Sequence, residues 1–119
     1  YANAWSLWYN ADHIWTMIFG YGFDGTITHI TNNLRAHNDW LEILVDYGVL
    51  GVIMYVGIFT NLYKISRYNK SMESRMVINS AIVIWFMKSC YSMGFTDEYI
   101  ALLAIPVGAA IAKRNLEFK

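Results

Sequence analysis

Arg35, His37 and Asn38 stand just ahead of a long apolar run, and their types and spacing lend themselves to chemistry. A neutral imidazole, with an ordinary pKa near ~6.5, accepts a proton from an attacking hydroxyl. A guanidinium two residues upstream suits bidentate capture of a phosphate. Asp39, Glu42 and Asp46 follow, falling within about 60° of one another at ~100° per residue of helix. Such an acidic stripe is either a solvated helix face or the wall of a polar cavity suited to a carbohydrate. Gly48 and Gly51 lie one turn apart and remove side-chain bulk, which suits close packing of another helix. Lys88 interrupts an apolar run, where an ammonium costs a few kcal/mol, so it is expected to face protein or water. It either snorkels to the surface or holds a phosphate. Cys90 has no second cysteine, which excludes an internal disulfide and a Cys-based zinc site. Ser89, Cys90 and Ser92 read as packing or helix–helix polar contacts, and His13 and His29 as surface residues without metal-ligand spacing.

The elements that position these residues follow from composition. Of the 119 residues, 56% are apolar and 15% charged, against roughly 45 to 50% and about 25% in ordinary soluble domains, so a membrane protein is expected. Aromatics at 17% exclude disorder, and nine basic against nine acidic residues exclude a nucleic-acid partner. Residues 47–63 carry no charge and form the first expected span. Residues 76–94 form the second, and 99–112, only 14 residues long and interrupted by Pro106 and Gly108, form either a third span or a re-entrant segment. The fold class read from this pattern is all-α: about three membrane segments of a polytopic bundle, preceded by an outer loop over 1–46. A helix is expected to open near Asn38, with Asp39 and Glu42 as a capping-box-like start, and to run directly into the first span.

Charge sets the orientation. Seven of nine basic residues (Lys64, Arg67, Lys70, Arg75, Lys113, Arg114 and Lys119) fall in the 64–75 link and the 113–119 tail. Seven of nine acids (Asp12, Asp24, Asp39, Glu42, Asp46, Asp97 and Glu98) lie before the first span or in the 95–98 link. The positive-inside rule puts the basic side in the cytoplasm and His37 outside. Ala4, Trp8, Ala11, Trp15 and Ile18 recur at helical spacing, so residues 4–19 read as one interfacial amphipathic helix, ended by Gly20, Gly22 and Gly25. Trp5, Trp8, Trp15 and Trp40 belong to this outer third, as interfacial anchors or as stacking platforms for sugars. With neither an initiator Met nor a leader pattern at the start, the chain reads as a piece of a longer protein.

The pattern His37-Asn38, nine residues, Gly48, two residues, Gly51 resembles the signature of the O-antigen ligase and polymerase family. The stretch from Trp15 to Phe23, with its Gly20-Tyr21-Gly22, is similar to that family's aromatic and GxG run ahead of its His motif. The motifs cover roughly residues 15 to 66, and the later spans match by topology. The resemblance implies a metal-free, cofactor-free membrane glycosyltransferase acting on a polyprenyl-pyrophosphate-linked glycan at the outer face of the bacterial cytoplasmic membrane. It implies His37 as the catalytic residue and Asn38 beside it as a substrate contact; Arg35, two residues upstream, and Lys88, singled out by the cost of its charge in an apolar run, are the further candidate substrate contacts. Further phosphate-binding arginines in this family usually lie upstream, and no Arg precedes Arg35 here. A polymerase of surface polysaccharide is expected. A ligase acting on a lipid or protein acceptor and a non-enzymatic truncated fragment are the alternatives. Besides the glycan, the implied partners are membrane lipids and N-terminal helices of the same protein, without which this piece is expected to be inactive.

The charge asymmetry generates a topological prediction. With Cys90 replaced, a cysteine placed at Ser71 should resist a membrane-impermeant maleimide in intact cells and react after permeabilisation; labelling from outside would invert the orientation.

Overall fold

The computed structural model describes residues 2–29, 38–91 and 99–117. They form six helices and, among the described residues, no strand. The helices are α1 (Ala2–Tyr9), α2 (Ile14–Phe19), α3 (Gly25–His29), α4 (Asp39–Arg67), α5 (Met72–Tyr91) and α6 (Tyr99–Glu117). The all-helical expectation is met.

The outer segment departs from the single helix expected over 4–19. Asn10, Ala11, Asp12 and His13 interrupt it, with His13 extended (φ −131°, ψ 139°) ahead of α2. Asn and Asp compete for backbone hydrogen bonds and favour caps and turns, so the apolar periodicity breaks there. The Trp8 indole N–H then donates to Met17 O at 3.0 Å, holding the two short helices together. Ala4 is buried against Val45 of α4, flanked by Leu7, Trp8, Tyr21 and Leu41.

Asn38 opens α4. Its backbone is extended, and its side-chain oxygen accepts from Leu41 N at 3.2 Å, the N-cap to N3 bond of a capped helix. Asn38, not Asp39, is thus the cap. The helix does not run straight into the apolar span, because Gly48 adopts φ 66° and ψ −164° within it. Trp40 and Phe59 would lie about 28 Å apart along a straight helix, yet their ring centroids are 6.0 Å apart. Residues 39–47 therefore fold back as a short arm beside the long arm 49–67.

Among the described residues α4 is the one helix long and apolar enough to cross a membrane. Of the three spans expected, this one is met by length and composition. Helix α5 starts at Met72, ahead of the apolar run 76–94, so it carries Glu73 and Arg75 as well as Lys88. In α6 the apolar stretch Leu102–Lys113 is about 18 Å long, well short of a ~30 Å hydrocarbon core. That helix continues through Pro106, which leaves Leu102 O without its usual donor four residues on. The expected 64–75 link shrinks to residues 68–71, and residues 92–98, including the end of the expected second span and the 95–98 link, lie outside the described residues.

Helix α5 packs against α4 and α6. At the basic end Ser66 Oγ donates to Asn79 Oδ1 (2.7 Å), Asn69 Nδ2 to Ala110 O (3.4 Å) and Lys113 Nζ to Glu73 Oε2 (3.0 Å). Asn79 thus finds its partner inside the chain. Elsewhere the long helices are little covered: 28% of the apolar window of α4 is buried, and Ile53, Met54, Val83, Ile84, Leu102 and Ile105 are exposed.

A Cβ at Gly48 would fall on the Ile18 carbonyl, and its φ lies in the left-handed region. Gly48→Ala is expected to cost more than about 2 kcal/mol, combining the left-handed penalty with that overlap. Gly57, which has open space around its Cβ position, serves as the control; Gly57→Ala should be neutral or gain about 0.5–1 kcal/mol. Thermal unfolding in detergent measures both, and equal stabilities would remove the bend as a constraint.

Candidate functional site

The start of the short arm, the end of α5 and the middle of the long arm meet at one place. Asn38 Nδ2 donates to Cys90 O at 2.9 Å, so the cap of α4 also ties α4 to the last turn of α5. Beside it Asp39 is buried and accepts from the Tyr55 hydroxyl at Oδ2 (3.2 Å), and the same hydroxyl is hydrogen-bonded to Ser89 Oγ. Trp40, Tyr55, Phe59, Trp85 and Phe86 close around these groups with ring centroids 5.0–6.1 Å apart, in mostly edge-to-face geometry. Aromatic pairs contribute roughly 0.5–1.5 kcal/mol each beyond their buried area. Trp40 is thus part of the packing between α4 and α5, contrary to its reading as an interfacial anchor.

Lys88 lies in the last turn of α5, half-buried, two residues from Cys90. A cation there complements the negative end of the helix dipole. The candidate contacts Asn38 and Lys88, far apart in sequence, are brought to the same end of the helix pair. Arg35 and His37 lie outside the described residues. Ser89 makes the expected helix–helix contact through its hydroxyl, whereas the contact of Cys90 with α4 is through its backbone carbonyl. His13 and His29 are exposed, the latter against the Tyr21 ring at 4.8 Å.

The acidic stripe is not a solvated face. Asp39, Glu42 and Asp46 are all buried, because the fold-back and the outer helices cover the side on which they lie. Asp46 Oδ1 accepts from Thr26 N at 3.0 Å, in the first turn of α3. Burial pushes the Asp46 carboxyl above its ordinary value of 3.8, with the nearby Asp24 charge acting in the same direction and the Thr26 bond opposing.

An apolar groove of about 410 Å³ runs between the two arms of α4, lined among others by Phe19, Ile43, Tyr47, Leu50 and Met54. A second, of about 370 Å³, lies between the long arm and α5 with Trp40 at one end. Sequence reasoning missed Tyr55. It sits 16 residues from Asp39, a spacing that a straight helix would keep about 24 Å apart. Only the positive φ of Gly48 joins them, and a glycine alone does not announce its φ.

No family model, curated protein or solved structure matches the chain.

The environment of Asp46 sets a pH dependence. A carboxyl whose folded pKa is raised contributes stability that is fully present below its unfolded value and lost as pH rises through the folded value. Asp46→Asn keeps an acceptor for Thr26 N and never ionises. It should match the parent at low pH and be more stable at neutral pH. Asp46→Ala leaves Thr26 N–H without that acceptor and should cost about 1–3 kcal/mol at every pH. Thermal midpoints across pH 3 to 8 measure this, and a parent that gains on Asp46→Asn as pH rises would reverse the sign.

Proposed function

We propose that this chain is part of a multi-pass glycosyltransferase of the O-antigen ligase and polymerase type. In this reading it extends a surface polysaccharide from a polyprenyl-pyrophosphate carrier, on the outer side of the bacterial cytoplasmic membrane. The observation that carries the reading is the His37-Asn38 pair, nine residues before Gly48-x-x-Gly51, with Asn38 as the cap of an apolar helix. The placement of Lys88 at the same end supports it, as do the exposed apolar flanks of α4, α5 and α6, which lipid and further helices would cover. The basic residues at the opposite end support the outward orientation.

The chemistry is a displacement at the anomeric carbon of the lipid-linked sugar. A hydroxyl of the acceptor sugar forms the new C–O bond, and the bond to the pyrophosphate oxygen breaks with its electron pair. The hydroxyl proton passes to His37. The leaving group departs as an anion and needs cations rather than an acid, which gives Arg35 and Lys88 their roles. Asn38 contributes through its amide to a sugar or phosphate oxygen.

His37→Ala in the full-length protein should reduce glycan chain growth by about 10²- to 10⁴-fold, the usual contribution of a general base, while the protein still accumulates in the membrane. Glycan length and yield per molecule of protein measure it. A change of only twofold would remove His37 from the role of base.

A further inference from the structure

Asp39, Tyr55 and Ser89 form a buried polar cluster that the proposed chemistry does not use. Their exposures are 2%, 3% and 0%, and they come from the short arm, the long arm and α5 respectively. A buried carboxylate is seldom the most stable choice, since well-packed apolar residues of similar volume often do as well or better. As the first residue of α4, Asp39 lies at the positive end of the helix dipole, which favours its charge. The protons are also limited. Tyr55 has one hydroxyl proton and Ser89 one, whereas Ser89 Oγ also lies 3.0 Å from Trp85 O. With Asp39 ionised, the bonds run one way, from Ser89 to Tyr55 to Asp39 Oδ2. That chain fixes the first residue of α4 at one height on both the long arm and α5. The Asn38–Cys90 bond fixes the neighbouring residue against α5 as well.

We infer that Asp39, Tyr55 and Ser89 are positioning residues, which set the place of Asn38 and the start of α4 relative to the end of α5. The inference rests on the reading of His37 as the base, one residue beyond the part of the chain the cluster holds. It names Tyr55 as the key residue because its hydroxyl alone touches both other members.

Tyr55→Phe removes that hydroxyl and keeps the ring in its aromatic packing. A misplacement of about 1 Å can cost up to about a hundredfold in rate, so kcat per molecule in Tyr55→Phe should fall about ten- to a hundredfold, with KM for the lipid-linked donor little changed. Asp39→Asn, which retains an acceptor for Tyr55, should keep most of the activity, while Asp39→Ala should not. Asp39→Ala combined with Tyr55→Phe should do no more harm than the worse single change, because both break the same link. An unchanged kcat in Tyr55→Phe with lowered accumulation would overturn the inference and leave a packing role. A second readout is independent of catalysis. In full-length protein carrying Cys90→Ser and His37→Cys, the rate of reaction with an impermeant maleimide should change severalfold on adding Tyr55→Phe. If the unsubstituted protein makes no glycan, the functional reading fails, and this labelling rate decides the positioning by itself; an unchanged rate overturns it.

Discussion

A single backbone conformation, the left-handed φ of 66° at Gly48, governs how the rest of the chain is arranged. A regular helix would direct the Val45 and Asp46 carbonyls to N–H groups four residues on. The bend leaves them to Tyr21 N (2.8 Å) and Gly22 N (2.9 Å), from the loop that follows α2. The approach is close on both sides: a Cβ at Gly20 would fall on the Asp46 carbonyl, and one at Gly48 on the Ile18 carbonyl. Two glycines therefore interlock, one with φ 80° at the end of α2 and one with φ 66° in α4. The unsatisfied groups of a broken helix, expensive if buried, become the docking points of the outer segment.

The bend decides which polar groups can be buried. It carries Asp39 to Tyr55 and covers the side of the short arm that bears Glu42 and Asp46. The apolar core is small, with Ala4, Ile43, Val45, Tyr55, Ile78, Ala81 and Ala110 the buried hydrophobics among the described residues. Specific contacts therefore carry much of the helix association: the aromatic cluster near Trp40 at one end of the α4–α5 pair, and Ser66–Asn79 at the other. This is the pattern expected where lipid tails are as apolar as the side chains and helices recognise one another through close packing and interhelical hydrogen bonds. The large apolar side chains left exposed on the long arm and α5 agree with such surroundings.

How much of this was legible in the sequence depended on range. The start of α4 at Asn38, the α5 helix and the need for small residues at Gly48 are local signals of capping, apolar content and side-chain volume. The interruption at residues 10–13 was legible in part, since Asn10 and Asp12 favour turns, but the recurring Ala4, Trp8, Ala11, Trp15 and Ile18 outweighed them. The fold-back was not legible, because a glycine permits φ > 0 without requiring it. The burial of the acidic stripe was missed for the same reason, as it depends on α1, α2 and α3 meeting α4 across a turn whose geometry the sequence does not state. In the site, Asn38 was visible through its pattern with His37 and the glycines, and Lys88 as a charge in an apolar run, whereas Tyr55 was one tyrosine among nine.

The amide of Asn38 shows how structure and proposed chemistry share one side chain. It offers two acceptor lone pairs and two N–H donors. The cap uses one acceptor on Leu41 N, and the tie to Cys90 O uses one donor. Among the described residues one acceptor and one donor remain, on a side chain that is only half-buried and whose orientation is fixed by the two bonds already made. A residue held in this way presents its remaining hydrogen-bonding capacity in a set direction without an entropic cost of ordering on binding, which is the condition for effective positioning of a substrate. An aspartate could cap the helix equally well but has no N–H for Cys90, and an alanine could do neither. The chemistry of the amide, rather than its size, explains why asparagine suits the position next to His37 both as a structural joint and as a contact in the proposed reaction.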